Sequence, residues 1–272
     1  MNKKQRTLIA LPAAAALVAL GFAAMDPRLR TVTYTIKTDK VRKPVRLAVA
    51  ADLHGCRYGK NMQQLLTAIR MEAPDGILLP GDFFDGRISE DNSHLFALLA
   101  AADYPVFYVT GNHEICSGRS AELKEALRSY GVTVLEGDAV PLTVRGETIW
   151  IGGADDPQIG KDASADQRKK AREAVPADAF SILLSHRPEL VEDYAALGFD
   201  AVIAGHAHGG QWRIPRLLNG VYAPHQGIMP AYAGGMYDLG STKLIVSRGL
   251  ARETTLVPRI CNRPELVILE IC

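Results

Sequence analysis

Short, unbroken apolar runs recur along this chain, each followed by a polar loop and then by a helical pattern. They are Val45–Ala51, Gly76–Leu79, Val106–Val109, Thr148–Ile151, Ser181–Leu184, Ala201–Ala204, Lys243–Val246 and Leu266–Ile271. A run this short with no polar alternation predicts a strand buried on both faces. The segments 62–71, 94–101, 121–130, 165–174 and 189–197 carry helical patterns, and Ser120 is placed to cap the third. Strands alternating with helices predict an α/β layered domain. Residues 31–37 alternate with period two and predict an edge strand. Hydrophobic residues make up 47% and charged residues 22% of the 272, so the chain is neither disordered nor polytopic. Lys plus Arg is 31 against 30 Asp plus Glu, which lacks the basic excess of a nucleic-acid binder.

The N-terminus reads as a targeting segment. Lys3, Lys4 and Arg6 precede the 19 uncharged residues of Thr7–Met25. As a helix that run extends roughly 28 Å, enough to cross a hydrocarbon core. It has no polar face, unlike a helix packed on a soluble core. A retained signal anchor and a cleaved signal peptide compete, with small residues such as Gly21 and Ala23 near the cut of the latter, and the anchor is favoured because no A-x-A site stands out before Asp26. Basic residues ahead of the span keep the N-terminus cytoplasmic, although Arg28 and Arg30 weigh the other way. The expectation is a single-pass protein of the cytoplasmic membrane with an extracytoplasmic catalytic part. Residues 1–25 form the anchor or signal, 26–44 a tether and edge strand, and 45–272 the catalytic domain.

The ends of five strands carry metal-ligand residue types. They are Asp52-Leu53-His54, Gly81-Asp82-Phe83-Phe84-Asp85, Gly111-Asn112-His113-Glu114, Ser185-His186 and Gly205-His206-Ala207-His208-Gly209. In open α/β sheets functional groups gather at the carboxyl ends of strands, so these clusters share one rim. Mixed Asp, Asn and His donors suit borderline divalent metals rather than calcium. Their number exceeds one tetrahedral site, which implies two metals. Gly81, Gly111, Gly205 and Gly209 are expected to turn the backbone sharply beside the ions. His94 and His225 fall outside the clusters and read as ordinary structural residues.

Taken in order, Asp52-x-His54, Gly81-Asp82-x-x-Asp85, Gly111-Asn112-His113-Glu114, His186 and Gly205-His206-x-His208 resemble the five motifs of the calcineurin-like metallophosphoesterase superfamily. The resemblance covers about residues 45–250. Gly209-Gly210-Gln211, Ser247-Arg248-Gly249-Leu250 and Asn262-Arg263-Pro264-Glu265 are similar to a bacterial branch with one N-terminal span. The resemblance implies a four-layer α-β-β-α sandwich of two mixed β-sheets. It implies that Asp52, His54, Asp82 and His208 hold one metal and that Asp82, Asn112, His186 and His206 hold the other. Asp82 then bridges both, a bridging hydroxide is the nucleophile, and His113 is the general acid. Asp85 and Glu114 orient histidines and backbone donors. The metals are two divalent or trivalent transition ions, manganese, iron or zinc. The branch often has Ser before the first Asp and Thr between the last two His, where this chain has Ala51 and Ala207. Neither position is a ligand.

The expected function is therefore dinuclear metal-dependent hydrolysis of a phosphodiester or phosphomonoester, with a lipid-linked substrate included. The alternative is a lipid-nucleotide pyrophosphatase of the UDP-diacylglucosamine type using the same site. A catalytically silent binding module is disfavoured because no ligand position is missing, and a serine hydrolase because no G-x-S-x-G occurs. Arg57, Tyr58, Arg87, Arg119, Arg187, Gln211 and Trp212 follow the motifs, and an arginine there could grip a second phosphate. Each alone reads more simply as a solvated loop residue. The spacing of Cys56 and Cys116 does not say whether they pair, and the sequence leaves the oligomeric state open.

Overall fold

The computed structural model describes residue 21 and residues 23–85, 92–252 and 257–272. Fourteen strands follow in chain order among them. They are β1 (Arg30–Ile36), β2 (Val45–Val49), β3 (Gly76–Pro80), β4 (Val106–Val109), β5 (Thr133–Val134), β6 (Ala139–Val144) and β7 (Glu147–Gly153). Then come β8 (Phe180–Leu184), β9 (Ala201–Ala204), β10 (Tyr222–Ala223), β11 (Gly227–Ile228), β12 (Gly235–Asp238), β13 (Lys243–Val246) and β14 (Glu265–Ile271). The helices are α1 (Gln63–Met71), α2 (Ser93–Ala100), α3 (Asn112–Cys116), α4 (Ser120–Ser129), α5 (Lys161–Glu173) and α6 (Val191–Leu197).

Two six-stranded sheets form, ordered β1-β14-β2-β3-β4-β5 and β12-β13-β9-β8-β7-β6, and β10 pairs with β11 in a small hairpin. Both sheets are mixed. In the first, β2 to β5 run parallel while β14 is antiparallel to β2. In the second, β13, β9, β8 and β7 are parallel and the edges β12 and β6 antiparallel.

Strand alternation explains the layering, because successive side chains leave opposite faces. Leu47 and Val49 of β2 pack inward against Ile149, Ile182 and Ile203 of the second sheet. Ala48 and Ala50 face outward, against Leu65, Leu66 and Ile69 of α1. The outer face of the second sheet, with Leu183, Val202 and Leu244, meets Ala171 of α5 and Tyr194 of α6. Helices thus cover both outer faces, and strands buried on both sides read as continuous apolar runs.

Several elements depart from the sequence reading. Edge strand β6 contains Pro141, which lacks the N–H that a central strand needs. The edge strand β12 buries none of its four residues fully, which left little apolar signal. The short α3 lies inside a motif that reads as loop. Ser120 does not cap α4: it is the first helical residue, Arg119 takes the cap position, and no side-chain cap bond forms. The expected N-terminal span, residues 7–25, falls almost wholly outside the described residues, among which no helix is long and apolar enough to cross a membrane.

Candidate metal centre

The loops after β2, β3, β4, β8 and β9 converge at one end of the sandwich. Asp52 and His54 follow β2, Asp82 follows β3, Asn112 and His113 follow β4, His186 follows β8, and His206 and His208 follow β9. Donor atoms of Asp52, His54 and His208 lie within 4.8 Å of one another, and so do those of Asp82, His186 and His206. The ring centroids of His54 and His208 are 5.0 Å apart, and those of His186 and His206 4.9 Å. Asp82 sits between the two groups, with Oδ2 3.1 Å from His186 Nε2 and 3.6 Å from His54 Nε2.

The backbone is strained at these positions. Asp52, His54, Asp82, His206 and His208 all have φ between 47° and 66°. Non-glycine residues rarely adopt that region, and such strain concentrates where function fixes a side chain's direction. Not all of the neighbouring glycines serve as turns. Gly111 and Gly205 have ordinary φ and are required for space: a Cβ on Gly111 would collide with Asp82 Oδ1, and one on Gly205 would come within 2.6 Å of Asp52 Oδ2.

Neighbouring groups fix each side chain. The His206 N–H donates to Asp52 Oδ1 (2.7 Å) and the His113 N–H to Asp82 Oδ1 (2.9 Å). His186 Nδ1–H donates to the Pro80 carbonyl at 2.8 Å, which turns Nε2 inward. Glu114 is fully buried and ties the loops after β3 and β4 together. Its Oε2 accepts from the Asp82 and Gly111 N–H groups (3.1 and 2.8 Å), and its Oε1 from Phe84 N–H (2.9 Å). Asp85 Oδ1 accepts from His113 Nδ1 at 3.2 Å. The His113 ring stands edge-on to His54, with centroids 4.4 Å apart, and its side chain keeps 35% of its exposure.

The donor set fits a pair of cations. Asp52 Oδ2, His54 Nε2, Asn112 Oδ1 and His186 Nε2 are buried and lack a hydrogen-bond partner. Each such orphan costs about 1–3 kcal/mol unless something satisfies it. His186 Nε2 lies 3.1 Å from Asp82 Oδ2, the acceptor it shares with the proposed ions. Burial lowers His54 to about 4 and holds His206 and His208 well below the usual histidine range. Those rings are neutral near pH 7, the form that ligates metal. Burial would also lower His186, but the carboxylates of Asp82, Asp52 and Asp156 overrule it and raise the ring to about 10. Burial, with Asp82 nearby, pushes Asp52 up to about 6 and Glu114 up to about 7.

Three residues carry more of the site than the sequence reading gave them. His225 is not a bystander. Its Nδ1 lies 2.9 Å from His206 Nε2, and it forms a further donor group with His206 and Glu189. Arg187 is not a rim charge. It is buried, grips Asp156 through Nε (2.5 Å) and Nη2 (3.0 Å), and brings Nη1 within 3.2 Å of His206 Nε2. Asp156 lies three residues past the end of β7, so the strand-end rule would have found it. His225 follows no buried strand, and no spacing rule reaches it. Two other candidates leave the rim: Tyr58 is buried, with its hydroxyl on the Leu250 carbonyl (2.6 Å), and Arg119 pairs with Glu122. Arg87 lies outside the described residues. His94 does serve structurally, bonding the Gly55 carbonyl through Nε2 at 2.9 Å. Cys56 is buried and Cys116 exposed, and no disulfide joins them.

The chain is similar to known proteins. A family model described as calcineurin-like phosphoesterase matches residues 45–210. The uncharacterized protein YpbG of Bacillus subtilis (strain 168) is 29% identical over 274 residues, covering 96% of this chain and 94% of YpbG. The phosphodiesterase YaeI of Escherichia coli (strain K12) is 28% identical over 235 residues, covering 84% of this chain and 82% of YaeI. Among solved structures, a putative 5'-nucleotidase from Staphylococcus aureus superposes with a TM-score of 0.51 at 14% identity. It covers 83% of this chain and 54% of that one, a likeness of fold alone.

Proposed function

This chain belongs to the calcineurin-like phosphoesterase family, and from that premise we propose that it hydrolyses phosphodiester bonds at a centre of two metal ions. The class, a metal-dependent phosphoester hydrolase, follows from the family and from relatives named for that activity. One observation carries the finer reading: two donor groups, Asp52–His54–His208 and Asp82–His186–His206, lie side by side with Asp82 also close to His54. We assign Asp52, His54, Asp82 and His208 to one ion, and Asp82, Asn112, His186 and His206 to the other. Ions held there supply Lewis-acid polarisation of a phosphoryl oxygen and a lowered pKa for water.

The chain's own residues do the rest. Asp82 Oδ2 lies near both His186 Nε2 and His54 Nε2, so Asp82 would serve both groups. The Glu114 carboxylate holds the Asp82, Phe84 and Gly111 amides and so fixes the two loops that carry Asp82 and Asn112. With His113 Nδ1 engaged by Asp85, Nε2 is the nitrogen left to protonate a departing oxygen. Asp156 pins Arg187, whose Nη1 and the His225 ring brace His206 Nε2. Arg187 and His225 are therefore positioning residues.

The expectation of one N-terminal membrane helix, with the metal centre on the outer side, rests on the composition of residues 1–25 and is part of the same proposal. A lipid-nucleotide pyrophosphatase would use the same donors, and no feature of the site selects it over a simpler phosphodiester.

The test is hydrolysis of bis-p-nitrophenyl phosphate by the full chain, with elemental analysis alongside. The expected result is close to two transition-metal ions per chain and activity abolished by chelation. One ion or none after gentle purification, with no response to added manganese, would sink the two-metal assignment.

A further inference from the structure

Among the described residues eleven large apolar side chains are exposed, and six of them, Trp212, Ile214, Leu217, Tyr222, Ile228 and Met229, fall within one stretch of chain. That stretch leaves the metal centre directly after His208-Gly209-Gly210. It is a single hydrogen-bonded structure. Ile214 bridges Leu218 and closes a tight turn with Arg216 and Leu217 at its tip. Tyr222 pairs across the β10–β11 hairpin with Ile228, so both side chains leave the same face. The Val221 and Met229 backbones tie the hairpin to Gly210 and Trp212. Contiguous exposed apolar surface on a soluble protein marks a site of contact.

Two further observations identify the partner. The first is charge. From Ala201 to Tyr237 the sequence contains no Asp or Glu, and the exposed Arg216 lies inside the apolar stretch, whereas Arg213 and Arg259 are half-buried and Arg259 donates to the Arg248 carbonyl. The second is connection. Residues Val257–Asn262 touch three things at once. Trp212 Nε1 donates to the Pro258 carbonyl (3.0 Å), and Arg213 N–H donates to the Ile260 carbonyl (3.0 Å). Cys261 N–H donates to the Ala24 carbonyl (2.6 Å), at the end of the uncharged Thr7–Met25 run. Asn262 Nδ2 donates to the His208 carbonyl (2.7 Å). The apolar stretch, the end of the N-terminal apolar run and a proposed metal ligand therefore share one short segment.

We infer that the surface formed by Trp212–Met229 docks on the face of an anionic phospholipid bilayer and presents the mouth of the metal centre to it. Aromatic and aliphatic side chains enter the headgroup region while Arg216 meets a lipid phosphate. The role of the metal centre in this arrangement rests on the function proposed above, but the docking itself does not. A substrate carried in the bilayer would reach the site without leaving the membrane.

The full chain is reconstituted with vesicles of brominated phosphatidylglycerol and phosphatidylcholine, and tryptophan emission is compared with that in unbrominated vesicles. Trp212 and Trp150 are the two tryptophans, so the Trp212→Phe chain isolates the Trp212 component. Bromolipid should quench that component, and more strongly with phosphatidylglycerol present than in phosphatidylcholine alone. Leu217 and Ile228 are 85% and 78% exposed, so Leu217→Asp with Ile228→Asp leaves the packing intact. That variant should lose the quenching yet keep its metal and its hydrolysis of bis-p-nitrophenyl phosphate. Unquenched Trp212 in the natural chain overturns the inference, and a dimer found in light scattering under those conditions would assign the surface to a second copy. Quenching that survives both Asp substitutions also overturns it, because the N-terminal run alone would then account for the proximity. Equal quenching with and without phosphatidylglycerol overturns the anionic assignment. Absence of chelator-sensitive hydrolysis with Trp212 still quenched rejects the proposed function and leaves the docking standing.

Discussion

At the scale of single residues, Asp82 and His113 occupy one loop junction but are asked for different things. Asp82 is buried and turns one oxygen toward His186 and His54, while the other accepts the His113 amide. Asp82→Asn replaces one anionic oxygen with an amide and should weaken both ion sites, so metal content should fall together with activity. His113 keeps partial exposure and has Asp85 on Nδ1. Its replacement by Ala should leave metal content near normal. The rate loss should depend on the leaving group, because general acid help is worth about 10²–10⁴-fold and matters most for a poor one. His113→Ala should therefore harm an alkyl ester far more than a p-nitrophenyl ester. Metal loss equal to that of Asp82→Asn would make His113 a ligand, as its closeness to His54 and Asp82 permits. An equal penalty on both esters would remove it as the acid.

At the scale of elements, links between the two sheets far from the centre matter as much as the rim. Asp75, just before β3 of the first sheet, accepts from Arg145 in the β6–β7 turn of the second, at 2.6 and 2.7 Å, and from Arg46 N–H at 2.8 Å. Burial alone would raise this carboxyl, but the Arg145 and Arg46 donors outweigh it and hold it below the usual carboxylate range. A depressed folded-state pKa stabilises above the unfolded value of about 3.9, and the stabilisation is lost as pH falls through the folded value. Asp75→Asn should therefore melt earlier than the natural chain at pH 7. The gap should close as pH drops below about 4. A gap that stays constant down to pH 2–3 would show that this ion pair is not its source.

At the scale of the whole molecule, ions at the proposed centre would act as a clasp. Asp52, His54, Asp82 and Asn112 come from ends of the first sheet, and His186, His206 and His208 from ends of the second. Ions held between them bind the folded chain and not the unfolded one. At a free concentration about 100 times the dissociation constant, each site would add about 2.7 kcal/mol. Chelation should lower the melting temperature by several degrees, and Asp82→Asn should blunt that response. If loaded and chelated protein melt together, the ions do not couple the sheets.

The sequence by itself determined the central strands and the five strand-end clusters. Strands buried on both faces leave continuous apolar runs, and a ligand loop at a strand's carboxyl end sits beside its own strand in the sequence. That information is local, so it survives without a structure. Only the tertiary structure decided what depends on pairing across the chain. The N-terminal β1 lies along β14, more than 200 residues away in sequence, through seven matched residues. His225 reaches His206 from a loop that follows no buried strand, and Arg187 turns inward only because Asp156 of another strand end is there to receive it. No local periodicity records a partner so distant. These contacts form because the two sheets fold face to face and close their loops over a common end.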